Sequence, residues 1–252
     1  MGFFLALRFL SILPIPGKAE VTERQLGRAT AWYPVVGVLL GVLLYGCAYL
    51  FSRLWSPLST ACLCLAVWTL FTRGLHLDGL ADTFDGLGGG AHRDKRLAIM
   101  KDSRVGVFGV LALCIVLLGK FAFLTELVGV FRIREIILVP TLGRWSMLLA
   151  MFSFPSAVPA GLGYRVKQHC RLPQLIFGTV VAVVCAWLCL GVWGLAVLAA
   201  VAVISAAMGL LFLRKIGGCT GDSYGALCEI SEVVSLAVLA VLVHLRMPMI
   251  AV

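Results

Sequence analysis

Residues 175–213 read LIFGTVVAVVCAWLCLGVWGLAVLAAVAVISAAMGLLFL, 39 consecutive positions without a charged side chain. As one helix rising about 1.5 Å per residue, this run would extend close to twice the roughly 30 Å hydrocarbon thickness of a bilayer. It is therefore expected to form two crossings that turn near Gly191 to Gly194. Outward from it, further crossings are predicted at about Ala31 to Phe51, Pro57 to Thr72, Val105 to Leu124 and Ile136 to Phe154, and from near Val233 to the C-terminus. The opening MGFFLALRFLSILPIPG is too short to span before Pro14 and is interrupted by Arg8. It has neither a basic segment ahead of its apolar run nor a small-residue cleavage site, so an interfacial or re-entrant helix is expected, not a signal peptide. The predicted fold is thus an all-α polytopic integral membrane protein. It has about seven transmembrane helices plus the N-terminal interfacial or re-entrant helix, in one domain over residues 1–252.

Composition agrees with this reading. Only 13% of the residues are charged and 61% are hydrophobic, with mean hydropathy +1.03. Soluble domains carry about a quarter charged residues, so the expected surroundings are a lipid bilayer. The net charge of +9 is spread singly or in small groups between apolar runs, with no basic and aromatic stripe, and nucleic acid is not an expected partner. Nine cysteines include no CxxC pair, and several sit inside apolar runs as ordinary packing groups. There is no GxxxxGK[ST] loop for nucleotide hydrolysis and no haem or iron–sulfur spacing.

The basic residues define two sides. Alternate connections hold Lys18, Arg24 and Arg28; Arg73, Arg93, Lys95, Arg96, Lys101 and Arg104; Arg165, Lys167 and Arg171; and Arg214 and Lys215. The opposite connections hold only Arg53, Arg132, Arg134 and Arg246. By the positive-inside rule the first side is expected to face the cytoplasm. Apart from Glu126 and Glu135, the acidic residues fall on that same side, grouped over Asp78 to Asp102 and Asp222 to Glu232.

These two groups carry the expected chemistry. In RGLHLDGLADTFDGLGGG (73–90), Asp78, Asp82 and Asp85 are spaced i, i+4, i+7 and share one helical face. Like charges stacked in this way repel, whereas hard oxygen ligands with room for water and phosphate are what magnesium requires. In GDSYGALCEISE (221–232), Asp222, Glu229 and Glu232 again share a face. Carboxylates running into a span are costly unless paired, metal-bound or facing a wet cavity. Together the six are candidate ligands for one or two Mg²⁺ ions. His76 is a candidate for phosphate contact or proton transfer, or a structural histidine. Arg93, Arg96, Lys101 and Arg104, with Asp102 among them, are candidate phosphate-side groups. Arg144 and Lys120 lie inside predicted spans; Arg144 is a candidate for the site and Lys120 is open to snorkelling. Tyr224 is a further candidate substrate contact.

At HLDGLADTFDGLGGG (76–90) followed by IMKDSRVGVFG (99–109), the chain resembles the cobalamin synthase family, the adenosylcobinamide-GDP ribazoletransferases. The resemblance covers nearly the whole chain. It includes the opening pattern through Ala6, Leu7, Phe9 and Leu10 to Pro14 and Pro16, YPVVG from Tyr33, and GDSYGALCEISE. The stretch D-G-L-A (78–81) is also similar to the D-G-x-x-A of the CDP-alcohol phosphotransferase signature, though one residue shorter between glycine and alanine. Asp82 stands where that signature has arginine, however, and its later D-x-x-x-D is missing, which favours the cobalamin branch.

The resemblance implies a reaction in which the hydroxyl of alpha-ribazole, or of its 5'-phosphate, attacks the phosphorus next to the cobinamide of adenosylcobinamide-GDP. Adenosylcobalamin, or its 5'-phosphate, forms and GMP leaves, with Mg²⁺ as cofactor, in the cytoplasmic membrane. The roles assigned to individual residues are Asp78, Asp82 and Asp85 as ligands, with Asp222 and Glu229 closing the site and Glu232 supporting them. Lys101 and Arg104 hold the diphosphate, His76 assists the hydroxyl proton and Asp102 supports from outside. Alternative readings are a magnesium-dependent phosphotransferase on another alcohol, and a transporter. The latter lacks support, because the carboxylates gather at one side and the aspartate motif has no second copy. A homo-oligomer is compatible with the sequence.

Overall fold

The structure, a computed structural model, describes residues 2–16, 21–130 and 133–250, with side chains to residue 245. Lys18, Arg132 and the side chain of Arg246, counted in the charge distribution, lie outside the described residues. The chain is helical: α1 (Gly2–Leu10), α2 (Glu23–Ala29), α3 (Tyr33–Phe51), α4 (Pro57–Thr72), α5 (Leu75–Gly89), α6 (Arg93–Ile99), α7 (Val107–Gly129), α8 (Leu138–Ser153), α9 (Gly161–Gln168), α10 (Leu172–Leu190), α11 (Val192–Ile216) and α12 (Gly221–Ile250). Among the described residues, extended pairing is confined to one isolated bridge between Ser156 and Cys219.

Six helical segments are long and apolar enough to cross a membrane: Glu23–Phe51, Val107–Gly129, Arg134–Ser153, Leu172–Leu190, Val192–Ile216 and Gly221–Leu245. A seventh counts if α4 and α5, bent by 87° at their junction, form one span. The bend follows from two successive left-handed residues, Arg73 (φ 55) and Gly74 (φ 65), the second of which costs a glycine nothing sterically. The 39-residue apolar run breaks where expected, at Gly191 (φ 58). The last helix departs from expectation. It begins at Gly221, not near Val233, because its acidic first turns find partners or a cavity and need not remain outside.

The outward faces are apolar: Ile115, Leu118, Leu188 and Val203 are among the exposed side chains. Such a surface is normal for lipid and abnormal for water. Inside, α8 is buried on nearly all sides, as a helix central to a bundle must be, and α12 packs against α8, α5 and α7. Leu40, Leu44, Leu138, Leu142 and Leu236 belong to one core cluster that joins α3, α8 and α12. The short α1 does not span. It packs on α2 and α3, and the chain after it is tied by a hydrogen bond from the Ile12 amide to the Phe71 carbonyl at 2.7 Å.

The basic connections meet at one end of the bundle. Arg93 Nε donates to the Ile216 carbonyl at 3.0 Å, and Arg96 Nη1 to the Lys215 carbonyl at 3.1 Å. These are terminal carbonyls of α11, which lack acceptor duty within the helix. Arg93 also bonds the Ala157 carbonyl at 2.5 Å. In place of the phosphate-side role expected for them, Arg93 and Arg96 tie α6 to the end of α11 and, unlike Lys101, do not line the cavity at the α5–α12 crossing. R93A and R96A are each expected to cost about 1–2 kcal/mol of stability while leaving the substrate KM unchanged. Thermal melts in detergent beside steady-state kinetics check this.

Candidate active site

Where α5 and α12 cross, the backbones almost touch. A Cβ at Gly79 would lie 2.7 Å from the Asp222 carbonyl oxygen, and one at Gly225 would lie 3.2 Å from the His76 Cα. At Gly79 only glycine allows this approach, and at Gly225 a side chain would press on the α5 backbone. The start of α12 is held by a reciprocal cap, in which the Thr220 amide donates to Ser223 Oγ at 2.7 Å and the Ser223 amide to Thr220 Oγ1 at 3.1 Å. The preceding turn is pinned by Ala157 N–H to the Cys219 carbonyl and Cys219 N–H to the Pro155 carbonyl, both at 2.8 Å. These constraints set Asp222 against α5. G79A is expected to displace the first turn of α12 and lower turnover about 10²-fold, with insertion into the membrane retained. Kinetics on the purified variant measure it.

The crossing borders a cavity of about 370 Å³. His76, Asp78, Lys101, Asp222 and Tyr224 line it together with an apolar wall that includes Phe9, Tyr33, Met147, Met151, Leu162 and Val166. Asp82 is half-buried nearby, close enough to Asp78, Asp222 and Asp85 for their charges to act on it. A second, more open cavity shares Leu75 and Asp78 with the first and is bordered by Arg73 and Val105. Asp78 thus stands between two accessible spaces.

The remaining candidates are placed elsewhere. Asp85 is buried, and its carboxylate accepts from the Gly106 amide at 2.7 Å and the Gly109 amide at 2.8 Å. It caps the N-terminus of α7, where a carboxylate meets both free N–H groups and the positive end of the helix dipole. Each oxygen accepts from one of these amides, so Asp85 ties α5 to the start of α7, and it does not line the cavity that Asp78 and Asp222 share. Arg104 is highly exposed and pairs with Asp102 at 2.7 Å. That guanidinium holds the Asp102 carboxyl down to about 2. Neither residue lines the main cavity, whereas their neighbour Lys101 does.

Glu229 and Glu232 leave the aspartates altogether. Lys120 Nζ bonds Glu229 Oε2 at 2.6 Å and also Glu232 Oε2, while Arg144 Nη1 pairs with Glu232 Oε1. All four side chains are buried, and Lys120 also lies 4.4 Å from the centroid of the Trp68 ring. Two anions and two cations neutralise one another, which is how ionic groups survive inside a membrane. Lys120 therefore does not snorkel, and Arg144, only 1% exposed, faces Glu232 in place of the expected direct contact with substrate. The six carboxylates read from the sequence as one set divide into three environments. Among the described residues, no group of three or more His, Cys, Asp or Glu side chains stands ready to hold a metal.

The sequence reading missed the roof of the cavity, formed by the segment from Val158 to Val166. There Lys167 Nζ donates to the Met151 carbonyl at 2.7 Å, and burial pushes its ammonium below the ordinary lysine value. The segment, with Pro159, Gly161 and Gly163, resembled a plain connection, and its Arg165 was read only as an orienting charge.

Comparison with known proteins gives a consistent result. The family model described as Cobalamin-5-phosphate synthase matches residues 2–240. A protein of Roseiflexus sp. is 39% identical over 242 residues, covering 96% of this chain and 90% of that one. One from Herpetosiphon aurantiacus is 40% identical, covering 95% and 96%, and one from Pseudomonas paraeruginosa is 42% identical, covering 95% and 97%. All three carry the name adenosylcobinamide-GDP ribazoletransferase. No solved structure matches.

Proposed function

Because the chain belongs to the cobalamin-5-phosphate synthase family, we propose that it transfers the cobinamide phosphate of adenosylcobinamide-GDP to alpha-ribazole or its 5'-phosphate. The products are adenosylcobalamin, or its 5'-phosphate, and GMP. The observation that carries this assignment to particular residues is the cavity at the α5–α12 crossing. It combines an apolar wall with two carboxylates, a lysine, a histidine and a tyrosine at one edge.

The residues present suit a magnesium ion. Mg²⁺ is usually held by one or two carboxylates together with substrate phosphates and water, not by an all-protein cage. Asp78 and Asp222 line the cavity, and Asp82 adds a third negative charge that acts on the same region. These three would hold the ion, which when bound supplies charge neutralisation for the diphosphate and the leaving phosphate. Lys101 contributes a point charge on the cavity wall for a phosphoryl oxygen. The apolar side chains exclude water, so the ribazole hydroxyl competes with little hydrolysis. The positive-inside distribution supports an orientation with this end of the bundle toward the cytoplasm, where soluble donor and acceptor are within reach.

The test is turnover by the purified protein in lipid vesicles on adenosylcobinamide-GDP plus alpha-ribazole, with and without Mg²⁺. GMP and the corrinoid product are followed by mass. Equal, magnesium-dependent formation of both is the expected result. Absence of product from inserted, folded protein would redirect the assignment to another alcohol acceptor.

A further inference from the structure

His76 sits in the first turn of α5, 2% exposed, with its ring between the cavity and the buried charges. Arg144 Nη2 lies 3.4 Å from His76 Nδ1. A guanidinium carries donors and no acceptor, so in this contact Nδ1 must accept. The proton of the neutral ring is then on Nε2. That nitrogen is buried and has no hydrogen-bond partner, and the Tyr224 hydroxyl on the same cavity wall is likewise buried and unpartnered. Buried donors without acceptors are costly and uncommon. Two of them lining one cavity point to an oxygen-rich group that arrives with a ligand.

Arg144 is itself fixed. Its Nη1 pairs with Glu232, and Glu232 is shared with Lys120, which also holds Glu229. We propose that this buried ion cluster positions His76 as the Nε2–H tautomer, making His76 a hydrogen-bond donor to a phosphate oxygen of bound substrate and not a base for the attacking hydroxyl. The proposal rests on the phosphoryl-transfer reading for the identity of the ligand, but the tautomer is a property of the free protein. Lys120, Arg144, Glu229 and Glu232 are then positioning residues: they act through His76 without touching substrate.

The tautomer is read by nitrogen NMR of ¹⁵N-histidine-labelled protein in lipid nanodiscs. The chain has four histidines, so the His76 signals are identified by their disappearance in H76Q. The expected result is a protonated Nε2 and a bare Nδ1. In R144K, a lysine that serves Glu232 no longer holds the ring, and a mixed tautomer signature is expected. Addition of GMP should shift the His76 Nε2–H resonance of the parent. A protonated Nδ1 in the parent, or no shift at saturating GMP, would overturn the proposal.

Kinetics supply a second readout. H76Q, whose amide keeps an N–H at similar reach, should retain turnover within about tenfold. H76M, equally long but without a donor, should fall about 10²-fold or more, the usual cost of removing one preorganised donor, with its melting temperature unchanged. Equal loss in both variants would argue against donation. A parent that shows the tautomer and the GMP shift but no turnover would overturn the reaction assigned above and leave the role of His76 standing.

Discussion

D82N is expected to lower turnover by about 10³-fold or more while leaving the melting temperature of the purified protein unchanged or higher. Asp82 is half-buried among the like charges of Asp78, Asp222 and Asp85, and such crowding costs stability in the absence of a cation. An amide of the same shape relieves that repulsion, so the fold gains or is indifferent. Catalysis loses a carboxylate at the place where a metal–diphosphate complex would need one, and a few kcal/mol of transition-state stabilisation corresponds to this factor. Opposite signs for activity and stability distinguish a site residue from a structural one. The measurement pairs GMP release in vesicles with thermal unfolding in detergent, across a magnesium titration. Turnover within tenfold of the parent would remove Asp82 from the site.

E232A should have the largest effect on the fold. Glu232 is fully buried and serves both Lys120 and Arg144. Truncation leaves a buried cation short of its counter-charge, a change that costs about 3–5 kcal/mol. Poor accumulation in the membrane and a sharply lowered melting point are expected. K120M/E229Q, which removes one charge of each sign, should be milder than the sum of its single variants, since deleting both partners leaves less uncompensated charge. Additive losses across that cycle would show that Lys120 and Glu229 act independently. An E232A protein that melts with the parent would show that the cluster is not supporting α7, α8 and α12.

The two outcomes test different kinds of acidic residue that look alike in the sequence. Asp78, Asp82 and Asp85 share a face by spacing alone, and so do Asp222, Glu229 and Glu232. Yet Asp78 and Asp222 line the cavity, Asp85 caps α7, and the two glutamates neutralise Lys120 and Arg144. Periodicity reports which residues of one helix point the same way. It carries no information on what another helix brings to meet them.

What the sequence determined by itself follows from local physics. The uninterrupted apolar run at 175–213 required two crossings with a break at glycine, and the scarcity of charge required lipid as the solvent for the outer faces. The motif at 76–90 and its companion at 221–232 singled out the two acidic segments whose Asp78 and Asp222 line one cavity. The tertiary structure alone decided which charges line the cavity and which pair or cap inside the bundle. It did so because a buried charge is defined by its partner, and the partners here lie far away in the chain: Lys120 meets residues 109 and 112 positions distant, and Arg144 one 88 positions distant. The same holds for Arg93 and Arg96, whose donors reach carbonyls at the end of α11, and for the segment running into α9 that roofs the cavity. Contacts of this range are set by the packing of α5, α7, α8 and α12, and no short motif encodes them.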